Sequence, residues 1–167
     1  MQASEEAGVT IQVYSIYIQA SAQRIWEAIT QPEWNSKYGY QAAQHFVLRP
    51  GGAYRAVPTD QMKAMGLPET MIDGEVLEVD PPHKLVQTYR FLFNEETKSE
   101  GFSKLTWEIE PVHAKFCKLT LTHEMENAPL MAGMVSSTFS ERGAGGWLWI
   151  LSDMKSLLET GHTLRSE

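Results

Sequence analysis

Residues 146–161, GWLWILSDMKSLLETG, decide how this chain folds. Trp147, Ile150, Leu151, Met154, Leu157 and Leu158 recur at the i, i+3, i+4, i+7 spacing of one helix face, and Asp153, Lys155, Ser156 and Glu159 take the water side. Gly161 stands where a helix commonly ends on a left-handed residue. Each large apolar side chain buried contributes about 1.5 to 3 kcal/mol, so the stripe supplies on the order of ten kcal/mol of gross driving force before ordering entropy is subtracted. Such a helix must dock on an apolar surface.

The middle of the chain provides that surface. Period-two alternation predicts strands at His45–Leu48, Ala53–Val57, Gly74–Asp80, Leu85–Phe93, Ser103–Glu110 and Phe116–His123. Arg49-Pro50-Gly51-Gly52, Asp80-Pro81-Pro82-His83 and Pro111 to Ala114 punctuate them as turns, so consecutive strands pair antiparallel. Lys104, Thr106, Glu108, Lys118, Thr120 and Thr122 mark the water side. Ser103, Leu105, Trp107, Ile109, Cys117, Leu119, Leu121 and His123 then face inward, with Leu85, Gln87, Tyr89, Phe91 and Phe93. That inner face is large and aromatic.

Upstream, Thr10 to Ile18 alternates as a further strand. Ser21 is placed to cap a helix carrying Ala22, Ile25, Trp26 and Ile29, and Thr30-Gln31-Pro32-Glu33 has the form of a capping box that starts a second short helix. The expected architecture is α+β: a curved antiparallel sheet, two short helices and a long C-terminal helix. Residues 1–9 read as a polar tail, 10–162 as one domain and 163–167 as a C-terminal tail.

Composition excludes several classes. At 167 residues and 43% hydrophobic the chain can bury one real core. No run approaches the roughly 18 apolar residues of a membrane span, and the acidic start MQASEEAG is unlike a signal peptide, so a soluble cytoplasmic protein is expected. Cys117 is the only cysteine, which excludes an internal disulfide and any multi-thiolate metal site. A net charge of −7, with Lys and Arg scattered singly, argues against nucleic acid. The five histidines show no metal-ligand spacing, and no cofactor motif appears.

Three stretches carry a resemblance: Tyr17-Ile18 through Arg24 to Glu33, Asp73 to Pro82, and Gly146-Trp147 through Leu158 to Gly161. Over about Val13 to Gly161 the chain resembles the SRPBCC (START-like) superfamily, in the branch related to the activator of the heat-shock chaperone ATPase. That resemblance implies the helix-grip fold, also called birch-pollen-allergen-like, and an apolar cavity for a small molecule between the last helix and the sheet. The chaperone activity itself is not expected to carry over, because no counterpart of the separate N-terminal domain that accompanies it is expected here.

The cavity-lining expectation is Gln87, Tyr89, Phe91, Trp107, Leu121, His123, Trp147, Ile150, Leu151 and Met154. His123 and Glu124 cannot share a proton, since strand neighbours project to opposite faces. His123 is then either a core histidine bonded to a backbone carbonyl or a polar handle for a ligand. Gly143-Ala144-Gly145-Gly146 lacks the Lys-Ser/Thr of a phosphate loop and reads as a close-packing or hinge segment. Met62, Met65 and Met71, with Met125, Met131 and Met134, read as loop packing or as a gate, and Trp34, Tyr38 and Tyr40 share that status. Cys117 reads as an inert core thiol, and Glu95, Glu96 and Glu100 as solvated loop residues.

The leading expectation is a protein that binds or sequesters an apolar or aromatic molecule. Relatives that act as self-resistance factors binding a polyketide in antibiotic producers give it one specific form. Two alternatives stay open. One is an enzyme like the polyketide aromatases and cyclases, with His123 or Tyr89 moving a proton. The other is a protein-interaction module associated with a chaperone or regulator. No catalytic residue is assigned.

Overall fold

The computed structural model describes residues 10–135 and 146–165. Seven strands form one antiparallel sheet: β1 (Ile11–Ile18), β2 (Ala43–Phe46), β3 (Ala53–Val57), β4 (Ile72–Asp80), β5 (Lys84–Phe91), β6 (Ser103–His113) and β7 (Phe116–Glu124). Their spatial order is β1-β7-β6-β5-β4-β3-β2. Only the first strand crosses over, carried there by α1 (Ala22–Thr30) and α2 (Pro32–Asn35). With α6 (Gly146–Thr160) against the sheet, this is the α+β helix-grip arrangement.

Alternation sets the faces as read. Ser103, Leu105, Trp107 and Ile109 are buried, as are Cys117, Leu119, Leu121 and His123, while Leu85, Gln87, Tyr89 and Phe91 continue the same face. Phe93 lies beyond the end of β5, half-buried and 4.7 Å from Phe91 ring to ring. Several boundaries move. The strand expected at His45–Leu48 pairs over Ala43–Phe46, and β6 runs through Pro111 to His113 with a register shift, so the turn falls at Ala114-Lys115 rather than across Pro111 to Ala114.

Ser21 caps α1 by accepting from the Arg24 N–H. The expected capping box at Thr30 does not form. Its hydroxyl donates to the Trp26 carbonyl inside α1, and α2 starts from Gln31 without a side-chain cap, Pro32 at its first position needing none.

Three short helices stand where loops were expected. These are α3 (Asp60–Ala64), α4 (Glu95–Glu100) and α5 (Pro129–Val135). Asn94 and Thr97 cap α4 reciprocally. Glu100 is not idle: its two carboxylate oxygens accept from the Leu130 and Met131 N–H groups, the free donors at the start of α5. The acidic loop is a helix-to-helix clamp.

Helix α6 buries Trp147, Leu151, Met154, Leu157 and Leu158, leaves Ile150 half-buried and ends at Gly161, whose φ is +82°. Its start is crowded, since a Cβ at Gly146 would lie 2.2 Å from the Val135 carbonyl oxygen of α5. Only glycine permits that approach, which matches the close-packing reading; Gly143-Ala144-Gly145 lie outside the described residues.

One residue of α6 departs from the helical pattern. Asp153 was expected on the water side, yet it is 3% exposed. One carboxylate oxygen accepts from Gly39 N–H at 2.8 Å, and the other from Leu164 N–H at 2.6 Å. The helix thereby holds both the loop after α2 and the chain beyond its own end. Hydrogen bonds to a buried charged group contribute about 1.5 to 3 kcal/mol each. Asp153→Ala should therefore lower unfolding free energy in urea by about 2 to 4 kcal/mol, whereas Glu126→Ala, at an exposed loop position, should change it by less than about 0.5 kcal/mol.

Candidate ligand site beneath the C-terminal helix

Where α6 meets the sheet, its first turn drives Trp147 into the aromatic inner face. The indole sits edge-on to Trp107, with centroids 5.6 Å apart, and 5.8 Å from both Tyr89 and His123. Its N–H donates to His123 Nδ1 at 3.0 Å. An indole N–H can only donate, so Nδ1 must be the unprotonated nitrogen and Nε2 carries the hydrogen. Nε2 lies 2.7 Å from Ser103 Oγ, which passes its own hydrogen to the Tyr89 carbonyl at 2.8 Å. The chain of donors from helix to sheet is complete.

His123 is fully buried, and burial lowers its pKa from 6.5 to about 3. It is a satisfied core histidine, although its partners are an indole and a hydroxyl rather than a backbone carbonyl. Both ring nitrogens are occupied.

Two voids flank this joint. A small cavity of about 70 Å³ lies against Gln87, Trp107, Leu105, Tyr54, Tyr38 and Asn35. A cleft of about 550 Å³ opens beside it, walled by Phe91, Phe93, Met62, Leu67, Met134 and Val135. Tyr40, Met71, Ile72, Tyr89, Trp147 and Ile150 border both, so the two voids share these side chains as a common wall. The cleft is within the size range of small-molecule sites.

The sequence-expected residues thus separate into two groups. Gln87, Tyr89, Phe91, Trp107, Trp147 and Ile150 line one or both voids. Leu121, His123, Leu151 and Met154 are almost completely buried and line neither. Several walls were not assigned from sequence. Tyr40, Met62, Met71 and Met134 stood there only as loop or gate residues; Leu67 and Val135 carried no signal because their approach depends on how α3 and α5 pack, and Ile72 lay before the expected start of its strand. Met125 and Met131 are fully buried core residues.

The electrostatics are those of a neutral site. No charged residue lines either void among those described. Burial raises the hydroxyl pKa of Tyr89, Tyr54 and Tyr38, with Tyr40, Tyr89 and Asp153 respectively adding to it. These phenols stay protonated. Tyr38 donates to the Ala28 carbonyl, Tyr54 to Gln44 Oε1, and Tyr40 accepts from Gly146 N–H. Cys117 is buried with a raised pKa, as befits an inert thiol. Among the described residues no group of three or more His, Cys, Asp or Glu could hold a metal ion, and no helix is long and apolar enough to cross a membrane.

Comparison with known proteins places this geometry. The family model described as Activator of Hsp90 ATPase homolog 1-like protein matches residues 19–159. No curated protein matches the chain. Among solved structures, the Aha1 dimer from Colwellia psychrerythraea is similar at TM-score 0.62 and 18% identity, over 90% of this chain and 97% of that one. CalU16 from Micromonospora echinospora gives 0.53 and 16%, over 73% of this chain. DynU16, a putative protein in the dynemicin biosynthetic locus, gives 0.59 and 16%, over 92%. The chain spans 64% and 49% of those last two proteins, less than two thirds of either.

The joint at His123 has a pH signature. In the unfolded chain this histidine takes a proton near pH 6.5, while in the fold it does so only near 3. Between those values the unfolded state binds the extra proton, so stability is full above pH 6.5 and falls as pH drops, by up to about 1.4 kcal/mol per pH unit. Urea unfolding from pH 7 to 4 should show this slope in the native protein and a slope shallower by about that amount in His123→Asn. The His123 ring resonances should not titrate between pH 8 and 5.

Proposed function

Because the chain belongs to the Activator of Hsp90 ATPase homolog 1-like family, on the helix-grip fold, we propose that it binds a neutral, apolar or aromatic small molecule in the cleft beside Trp147. The observation that carries this reading is the cleft of about 550 Å³, walled by aromatic and methionine side chains and free of charge among the described residues. Met62, Met71 and Met134 suit such a wall because an unbranched thioether adapts to irregular shapes.

The state of His123, one of the two residues the enzyme reading would use, favours a carrier or sequestering protein, and burial, by raising the pKa of Tyr89, makes the other a weak proton donor. A neutral imidazole with both nitrogens engaged has neither a free lone pair nor a spare proton for a bound molecule. A narrower form takes the ligand to be a polyketide and the protein to be a self-resistance factor. It draws on the biosynthetic locus of DynU16, a neighbour in fold only.

The cleft can be filled without touching the core. Leu67 borders it half-buried, so Leu67→Trp should occupy the space with little change in melting temperature. Against a panel of apolar aromatic compounds, native protein should gain melting temperature in proportion to ligand concentration, as expected when only the folded state binds. The variant should lose at least about tenfold in affinity. A panel that moves neither the melting temperature nor the amide resonances of β5 and α6 would contradict the proposal.

A further inference from the structure

Gln87 borders the smaller void beside the cleft and is 1% exposed. Its amide orientation is fixed by its neighbour, because the Trp107 indole can only donate and does so to Gln87 Oε1 at 3.0 Å. The amide nitrogen is thereby turned away from Trp107. It has no hydrogen-bond partner, alone among the buried side-chain nitrogens and oxygens of the described residues. An unmade hydrogen bond at a buried donor is costly, and proteins rarely leave one without a purpose. That void, of about 70 Å³, is large enough for a few waters or for the polar end of a molecule lying in the adjoining cleft.

Resting on the small-molecule reading above, we infer that the ligand carries a terminal neutral hydrogen-bond acceptor, a ketone, aldehyde, ester or quinone carbonyl, which enters this cavity and accepts from Gln87 Nε2. The chemistry narrows the choice at each step. A donor without a partner calls for an acceptor, so a hydrocarbon end leaves it unsatisfied and an ammonium is repelled. A carboxylate would have to shed its water with no cation to meet it among the described residues, since none of the Lys, Arg or His among them lines either void. A carbonyl offers the lone pairs at little desolvation cost. Aromatic faces at Tyr89, Trp107 and Trp147 suit a flat body attached to it.

Two isosteric probes separate the acceptor from the shape: 2-acetylnaphthalene, which ends in C=O, and 2-isopropenylnaphthalene, which ends in C=CH2. The native protein should bind the ketone about tenfold more tightly than the alkene, the difference expected when a buried donor gains its partner. The ketone alone should shift the Gln87 side-chain amide resonances. In Gln87→Met, which keeps the volume and removes the donor, the preference should vanish through loss of ketone affinity while the alkene binds as before. The resonance readout on native protein decides the matter even where that variant folds poorly. Equal affinities, with both probes perturbing Tyr89 and Ile150, would overturn the carbonyl inference and leave the apolar cleft standing, with water serving Gln87. Binding of neither probe would remove both readings.

Discussion

The hydrogen bond from the Trp147 indole to His123 Nδ1 is the constraint on which the rest of the interior depends. It fixes the first turn of α6 at a particular depth in the sheet, and only a neutral histidine can accept it. Burial provides that neutrality, since desolvation holds the imidazole far below its ordinary pKa. From this joint the helix lays Leu151, Met154, Leu157 and Leu158 onto the sheet and closes that side completely. On the other side Trp147 acts as a partition, with packed core behind it and the cleft in front. The helix that the first reading required to dock does so, and the manner of docking creates the space.

Asp153 and Glu100 show a second, recurrent device. Each is a carboxylate whose two oxygens accept backbone N–H groups from elements distant in sequence, and each positions a wall of the site. Asp153 holds the loop that carries Tyr40, and Glu100 holds the helix that carries Val135. The cleft is therefore bordered by segments tied down electrostatically while its lining, among the described residues, carries no charge.

Much of this was legible in the amino-acid sequence, and the boundary of what was legible has a physical reason. Strand faces could be read because side chains alternate strictly, which placed Gln87, Tyr89, Trp107 and His123 on one inner surface. Alternation gives a face but not a partner. It could not reveal that Trp147 would engage His123 while Gln87 would keep a donor free. Helical periodicity judged Asp153 by its polarity and put it in water, because a long-range hydrogen bond leaves no trace at i+4. The helices α4 and α5 are six and seven residues long, too short for a periodic signal, and so Val135 was missed as a wall and Met134 stood only as a loop or gate residue.

The central claim is that the interior beneath α6 is closed around His123 and open beside Trp147. A crystal structure of the unliganded protein under pressurised xenon tests it most directly, since xenon enters apolar space without needing a specific contact. The account predicts xenon between Ile72, Phe91 and Ile150, and none around His123, Leu121 or Met154. Xenon excluded from the cleft, with Met71, Phe93 and Met134 collapsed into it, would contradict the account.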